Sequence, residues 1–283
     1  EQIEKIVEFL DDHGFLLNER FEEIRNRTEQ ECLQQVVRLP YHAGQSYSSA
    51  KHELGSFFSS MFRKAGGPGS LPDEQKISDE SMIGLIVPHI DFQRGALGYA
   101  HGYYRLYQCK KPDTVFIFGV SHQGGDTPYI LTKKHYSTPL GTIKTHQECV
   151  DYLTKNSDID LFKSEIMHRT EHSIEFQVLM LNYLYGTDIQ IVPILCSDLP
   201  QNEGTPIEEI TEIQKFLETC IKYIEESNEQ VLLLSAADWA HVGKRFGDVF
   251  DINPTICAQV KNRDDEDMEK ALEIDADQFF NSV

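Results

Sequence analysis

The chain has 283 residues, of which 40% are hydrophobic and 25% charged, a balance typical of a globular protein that can bury a substantial core. Its 46 acidic and 26 basic residues give a formal charge of −20, and we expect no nucleic-acid partner because an acidic surface repels phosphate backbones. No apolar run approaches the roughly 18 to 20 residues that a membrane span needs, so we expect a soluble protein that does not bind membranes.

Helical spacing of apolar residues predicts two helices at the start of the chain, at about residues 3–10 and 21–37. We therefore divide the chain into an N-terminal helical hairpin, residues 1–40, and a main domain, residues 41–283. The main domain begins with a polar turn, Tyr41 to Tyr47, which leads into a further amphipathic helix.

From residue 81 onward, apolar strands alternate with helices. This alternation is typical of an α/β fold in which helices flank a mainly parallel sheet, and strands that are apolar throughout indicate a sheet covered on both faces. We therefore predict a three-layer α/β domain with a mainly parallel or mixed sheet. The predicted strands are 83–87, 114–120, 128–132, 188–195 and 231–235, and the predicted helices are 95–108, 145–155, 172–185 and 206–226.

Three of the most apolar strands run into segments that contain a histidine: His89, His122 and His241. Ligands of open α/β sheets bind beyond the carboxyl ends of the strands, so these side chains meet in one crevice if the strands are neighbours. Imidazole is a common ligand of iron, copper and zinc, and it titrates near neutral pH. Two histidines and a third donor would form a metal site with open positions, and another histidine nearby would serve as acid or base. For each histidine alone, a hydrogen-bonded structural role is the alternative.

Further polar residues lie beside these histidines. Glu175 is three residues after His172 at the start of a predicted helix, so the two can share a face. Glu175 would either orient a histidine or only complement the positive end of the helix dipole. Asp91 offers either an alternative oxygen ligand or a cap for the helix that follows it. Asp238 or Glu175 would fix the tautomer of His241.

Two other features of the sequence have simple interpretations. The six cysteines are scattered and form no CxxC pair, which favours reduced thiols in a cytoplasmic protein. The charged run Arg263 to Asp267 is predicted to be the solvated start of a helix.

These segments, in this order, resemble the Memo family, the B-type proteins of the AmmeMemoRadiSam group. The resemblance covers about residues 41–283, and the Glu171 to Glu175 block and the ordered histidine motifs are quite specific. The N-terminal hairpin resembles an extension found in bacterial members. The matching segments are Tyr41–Tyr47, Val87–His89, Phe118–His122, Glu171–Glu175, Ile191–Leu195 and Ser235–His241, with Gly243 and Arg245-Phe246.

The resemblance carries implications for the site, because the family shares the fold of class III extradiol dioxygenases, which are non-haem iron enzymes. It implies that His89 and His122 bind a divalent metal, with Fe(II) as the first expectation and copper or zinc as alternatives. It also implies that His241 acts as acid or base and that His172 lines the pocket. The third ligand in the family is a cysteine beyond the stretch that matches Ile274 to Val283, so we expect it to lie outside this chain.

Two hypotheses for the function follow. The first is a metal-dependent, dioxygenase-like oxidoreductase that acts on an unknown small molecule, with His241, His172 and Asp238 in catalysis. The second is a non-catalytic protein that retains the pocket and binds a metal, a peptide or a partner protein. Family context also suggests a radical-SAM partner protein. An anion-dependent hydrolase that uses His and Asp is disfavoured because it lacks a nucleophile: the sequence contains no GxSxG motif.

Overall fold

The structure is a computed structural model, which describes residues 2–72, 77–197, 210–274 and 278–279. In these ranges the chain forms eight α-helices and one sheet of eight strands. The helices are α1 (Gln2–Asp12), α2 (Glu19–Leu33), α3 (Lys51–Phe62), α4 (Ala96–Tyr107), α5 (Gln147–Lys155), α6 (His172–Tyr185), α7 (Thr211–Glu226) and α8 (Pro254–Leu272). The strands are β1 (Val37–Arg38), β2 (Gly84–Val87), β3 (Thr114–Val120), β4 (Tyr129–Leu131), β5 (His135–Thr138), β6 (Gly141–Thr145), β7 (Gln190–Cys196) and β8 (Val231–Ala236).

The strands follow the order β1-β5-β6-β7-β3-β8-β2, and β4 pairs with β7. Five of these pairings are parallel, namely β1 with β5, β6 with β7, β7 with β3, β3 with β8, and β8 with β2. The pairings of β5 with β6 and of β4 with β7 are antiparallel. The prediction of a mainly parallel or mixed sheet is therefore confirmed.

Helices cover the two faces of the sheet and form two apolar cores. Val115 and Ile117 of β3 pack in the core that includes α3, α4 and α6, whereas Phe116 packs in the core that includes α5 and α7. This alternation follows from the pleat of a strand, which sends successive side chains to opposite faces. Each large apolar side chain buried in this way contributes about 1.5 to 3 kcal/mol. The predicted three-layer architecture is confirmed.

The sheet order places the ends of β3, β8 and β2 side by side, and α6 begins close to the end of β3. A Cβ atom on Gly119 would lie 2.6 Å from the Ser173 Oγ and from the Ile174 side chain, so glycine is required for this close approach. The Ser173 hydroxyl donates a hydrogen bond to the Val120 carbonyl at 2.9 Å. The first turn of α6 is thereby held against the loop that contains His122.

Some secondary-structure predictions were wrong in detail. The helix predicted at 21–37 ends at Leu33, and Val37–Arg38 pairs with β5 instead. The hairpin of β5 and β6 was not predicted, because these short strands are largely polar and contain no apolar run. The Arg263 to Asp267 run lies in the interior of α8, not at a helix start; α8 begins at Pro254 and is capped by Asn253.

The environment of β2 also differs from the prediction. We expected a strand covered on both faces, but Ile83 is 75% exposed and Ile86 is 50% exposed. In the ranges that the structure describes, β2 is an edge strand, which explains why these apolar side chains lack cover. None of the described helices has the length and apolar composition needed to cross a bilayer. Residues 206–209 of the predicted long helix, and most of the 274–283 stretch, lie outside the described residues.

Candidate metal centre

Three histidine rings from three different segments meet beyond the carboxyl end of the sheet. His89 follows β2, His122 follows β3, and His172 is the first residue of α6. Their ring centroids are 5.1 Å apart for His89 and His122, 5.5 Å for His89 and His172, and 4.7 Å for His122 and His172. One ring nitrogen of each lies within 4.8 Å of the others. The structure thus brings the two predicted metal ligands together and adds His172 to them.

His89 is the buried member of the cluster, with a relative exposure of 4%. Its Nδ1 lies 2.9 Å from the Ala236 carbonyl oxygen, which fixes the proton on Nδ1 and leaves the lone pair on Nε2. Burial lowers the pKa of His89 below its ordinary value, and the Asp238 carboxylate opposes only part of this shift. The ring therefore stays neutral, as metal binding requires.

Glu171 orients the other two rings. Its carboxylate accepts hydrogen bonds from Nδ1 of His122 and lies 3.1 Å from Nδ1 of His172. It also accepts bonds from the backbone N–H groups of His122, His172 and Ser173, at 3.0, 2.7 and 3.0 Å. Burial alone would raise the pKa of Glu171, but these hydrogen bonds outweigh it and hold the pKa well below its usual range. In the neutral form of each ring, the contact with this carboxylate keeps the proton on Nδ1 and leaves the lone pair on Nε2.

The charge state of His122 responds to the same carboxylate. The hydrogen bond to Glu171 raises the pKa of His122, while burial works in the opposite direction. The side chain of His122 is 45% exposed and that of His172 is 31% exposed. The cluster is therefore open to solvent on the side of these two rings, whereas His89 closes the inner side.

This donor set fits a divalent metal ion. Three neutral imidazoles that present Nε2 suit zinc, copper and iron, and the nearby carboxylates of Glu171 and Asp238 would offset the positive charge of the ion. Carboxylate partners of this kind fix the orientation of metal-binding histidines in many proteins. Within the described part of the chain, this is the one group of three or more metal-binding side chains with atoms this close together.

Asp238 connects the cluster to His241. Its Oδ2 lies 3.7 Å from His89 Nε2 and 3.7 Å from His241 Nε2. Its Oδ1 accepts hydrogen bonds from the backbone N–H groups of His89 and Ile90, at 2.8 and 3.0 Å. Because the carboxylate is held by the backbone on one side, its second oxygen is fixed between the two imidazoles.

His241 lies outside the three-histidine cluster, at the edge of a cavity of about 580 Å³. Asp238 lines the same cavity, together with Arg94 and Phe246, and the ring of His241 packs edge-on against Phe246 with the centroids 4.9 Å apart. The side chain of His241 is 47% exposed. The cavity therefore offers space for a small molecule next to Asp238 and His241, two of the three predicted catalytic residues; the third, His172, does not line it.

Asp91 does not join the three-histidine cluster. One of its carboxylate oxygens accepts a hydrogen bond from the Arg94 backbone N–H at 3.1 Å, and the other pairs with the Arg94 guanidinium. These contacts stabilise the turn that precedes α4. The N-cap residue of α4 is Gly95, which makes no side-chain cap hydrogen bond, so Asp91 stabilises the preceding turn and is not the cap that the sequence suggested.

Glu175 does not orient a histidine, although its spacing from His172 allowed that role. It is buried against Arg38, and it accepts hydrogen bonds from the Tyr47 hydroxyl and from the backbone of the loop that contains His42. The orienting carboxylate is Glu171. The sequence did not predict this role, because the contact between Glu171 and the His122 loop joins residues that are far apart along the chain.

His42 is a further residue beside the cluster that we did not predict. Its Nε2 donates a hydrogen bond to the Thr170 carbonyl at 2.8 Å, and its ring packs edge-on against His172 with the centroids 5.7 Å apart. It therefore supports the outer side of His172. The only signal in the sequence was its position in the Tyr41 to Tyr47 segment.

Comparisons with known proteins agree with the motifs. A family model described as "Memo: Memo-like protein" matches residues 38–283. A MEMO1 family protein of Aquifex aeolicus is 31% identical over 273 residues, which cover 93% of this chain and 67% of that protein. A MEMO1 family protein of Desulfurococcus amylolyticus is 35% identical over 159 residues, 56% of each chain. One of Methanococcoides burtonii is 32% identical over 166 residues, 59% of this chain and 57% of that protein.

The aligned stretch thus spans about two thirds of the Aquifex aeolicus protein and little more than half of the other two. The family model covers all three histidines of the cluster as well as Glu171, Asp238 and His241. On these matches, this chain belongs to the Memo family.

Proposed function

We propose that His89, His122 and His172 together hold one divalent metal ion and that the loaded site is an oxidoreductase for a small molecule. One observation carries this proposal: all three rings have Nδ1 engaged, by Ala236 or by Glu171, which leaves Nε2 as the ligand atom of each, and one ring nitrogen of each ring lies within 4.8 Å of the others. Fe(II) is the first expectation, with copper or zinc as alternatives. His172 is assigned to the metal in addition to its predicted pocket role, because Glu171 fixes it in the same tautomer as His122.

Bound iron would supply open coordination positions and an accessible redox couple. The protein itself would supply proton transfer at His241, with Asp238 holding the charge of the imidazolium. The cavity beside these two residues would bind the substrate, and its largely apolar wall would exclude water from one side of it.

The alternative function is non-catalytic binding of a metal, a small molecule or a peptide. The distance between Asp238 and His241 favours it, because 3.7 Å is longer than a hydrogen bond and leaves the ring of His241 without a firm carboxylate partner. A radical-SAM partner protein and a cytoplasmic location are proposals that the family resemblance and the cysteine usage support.

Oxygen uptake separates the two functions. Protein loaded anaerobically with Fe(II) is mixed with a panel of catechols and air, and oxygen consumption is recorded for the wild type, for His241→Ala and for the control His52→Ala. His52 is exposed and is not a member of the three-histidine group. The oxidoreductase proposal predicts uptake that is lost in His241→Ala while its iron is retained. Iron retained by the wild type without uptake favours the binding function. No retained iron contradicts the iron-dependent oxidoreductase and leaves only binding that does not involve iron.

A further inference from the structure

A second cavity, of about 600 Å³, lies between α2 and the core. This volume is within the range of about 300 to 1,000 Å³ typical of small-molecule sites. One face of α2 lines it, from Phe21 to Glu29, and the opposite wall comes from residues 123–126 and 163–170. Because the family model begins at residue 38, the helix that completes this cavity lies outside the matched region.

The cavity is amphipathic. Its apolar wall combines Phe21 and Ile24 of α2 with Ile166 and Met167 of the 3-10 helix opposite. Its polar rim contains three cations and two carboxylates, which is a local excess of positive charge in a chain of net charge −20. The charged rim residues are Arg25, Lys163, Arg169, Glu29 and Asp126.

The three rim cations differ in how firmly they are paired. Lys163 lies 3.8 Å from the Asp126 carboxylate, so these two charges largely offset each other. Arg25 pairs with Glu22 at the solvent surface, where an ion pair contributes little. The guanidinium of Arg169 lies 5.9 Å above the ring of Tyr41, a cation–π contact that leaves its N–H groups available.

We propose that this cavity binds a small organic carboxylate with an apolar body. The apolar body would cover the wall that Phe21, Ile24 and Met167 form, and the carboxylate would pair with Arg25 and Arg169. A planar guanidinium is well matched to a carboxylate because it can donate two parallel hydrogen bonds.

The cavity shares a wall with the metal centre. Gln123 follows His122, Thr170 precedes Glu171, and the Gln123 side-chain amide donates a hydrogen bond to the Thr170 hydroxyl at 3.3 Å. A bound carboxylate would therefore contact both segments that position the histidine rings. By linkage, any effect of the ligand on metal affinity equals the effect of the metal on ligand affinity.

Calorimetric titration with octanoate tests the proposal on the whole chain without added metal, so that its outcome does not depend on the proposed metal site. We expect octanoate to bind the wild type, octan-1-ol to bind at least tenfold more weakly, and Arg25→Gln and Arg169→Gln each to weaken octanoate binding about fivefold. Arg20→Gln is the matched control, because Arg20 lies on α2 outside the cavity and pairs with Glu23; it should bind octanoate like the wild type.

Two results would overturn the proposal. One is the absence of octanoate binding to the wild type at millimolar concentration. The other is an Arg25→Gln/Arg169→Gln variant that binds octanoate as tightly as Arg20→Gln. All three arginines lie on the surface, so matching urea-unfolding curves will show that the variants retain the fold.

Discussion

Glu171 combines two tasks in one side chain, since it caps the first turn of α6 and holds two imidazole rings. A carboxylate at a helix N-terminus is stabilised by the backbone N–H groups and by the helix dipole. Here the same carboxylate also engages Nδ1 of His122 and of His172, which leaves Nε2 as the ring nitrogen available to a metal. Loss of this carboxylate should therefore affect metal binding more than it affects the fold.

We predict that Glu171→Gln weakens metal affinity about 10- to 100-fold, the usual effect of removing a carboxylate partner of a metal-binding histidine. The amide has one acceptor oxygen and cannot hold both rings. Competition with a chelator measures the metal dissociation constant, and urea unfolding measures stability separately. Glu148→Gln removes an acidic residue from the first turn of α5 and should bind metal normally. Equal affinities of the two variants would contradict the role of Glu171.

His168 is a buried histidine of the 3-10 helix Glu165–Arg169 and is not a member of the three-histidine cluster. Its Nδ1 accepts a hydrogen bond from the Tyr136 hydroxyl at 2.7 Å, and its Nε2 donates to the Ile130 carbonyl at 3.0 Å. Burial lowers the pKa of His168 from 6.5 to about 3. The native state therefore keeps this ring neutral at a pH where the unfolded chain already binds the proton.

This shift predicts acid sensitivity. Because the unfolded state binds the proton first, the stability contributed by neutral His168 is complete above pH 6.5 and is lost as the pH falls from 6.5 towards 3. At pH 5 the loss amounts to about 2 kcal/mol. Urea unfolding at pH 7 and pH 5 measures it.

The matched variant is His168→Gln, which does not titrate. We expect it to be less stable than the wild type at pH 7, because its amide cannot reproduce both ring hydrogen bonds. Its further loss between pH 7 and pH 5 should be smaller than that of the wild type by about 2 kcal/mol. Equal losses in the two proteins would show that His168 is not the group responsible.

Among the elements, β1 and α6 are joined by a buried ion pair. Arg38 is 2% exposed and Glu175 is 1% exposed. The Arg38 guanidinium also donates to the backbone carbonyls of His168 and Glu171, at 3.0 and 2.9 Å. This short strand thus fixes the segment that leads into the metal centre.

We predict that Arg38→Met lowers the free energy of unfolding by about 3 to 5 kcal/mol, because it leaves the Glu175 carboxylate buried without its cation. Chemical denaturation measures the change. Arg20→Met, which removes an exposed ion pair of α2, should change stability by no more than about 0.5 kcal/mol. A loss below about 1 kcal/mol in Arg38→Met would mean that the carboxylate is protonated or solvated instead.

The sequence predicted the elements with strong patterns and missed those without them. Local pattern alone predicted three strands and three helices. Apolar runs predicted β3, β7 and β8, and the helical spacing of apolar residues predicted α4, α6 and α7. By contrast, β1 has two residues, and its place in the sheet depends on a pairing with His135-Tyr136, which no local pattern encodes. The exposure of β2 was missed because an apolar run does not distinguish a central strand from an edge strand.

For the site, the sequence predicted the histidines that follow strands. It did not predict the carboxylate of Glu171, which contacts a loop far from it along the chain. The positions of His89, His122 and His241 after apolar strands sufficed to place them near one end of the sheet. The contact between Glu171 and the His122 loop spans 49 residues, and it depends on the close approach at Gly119. The spacing along α6 allowed Glu175 to be the carboxylate that orients a histidine, but Glu175 pairs with Arg38 instead.

For the molecule as a whole, the charge of −20 governs its partners at long range. We expect no binding of a fluorescent 20-nucleotide RNA or DNA at 150 mM salt, because 46 acidic residues against 26 basic ones repel the phosphates. Fluorescence anisotropy measures it. Binding that weakens steeply with salt would reveal a basic surface and contradict this expectation.

The three-histidine cluster joins the ends of β2 and β3 to the start of α6, and metal content tests the proposed metal site most directly. The chain is incubated anaerobically with Fe(II) or Zn(II), desalted and assayed by elemental analysis, beside His89→Ala, His122→Ala, His172→Ala and the exposed control His52→Ala. A three-histidine site predicts about one ion per chain in the wild type and in His52→Ala, and loss of the ion in each of the other three variants. Full metal content in His172→Ala, or no metal in the wild type, would contradict that site.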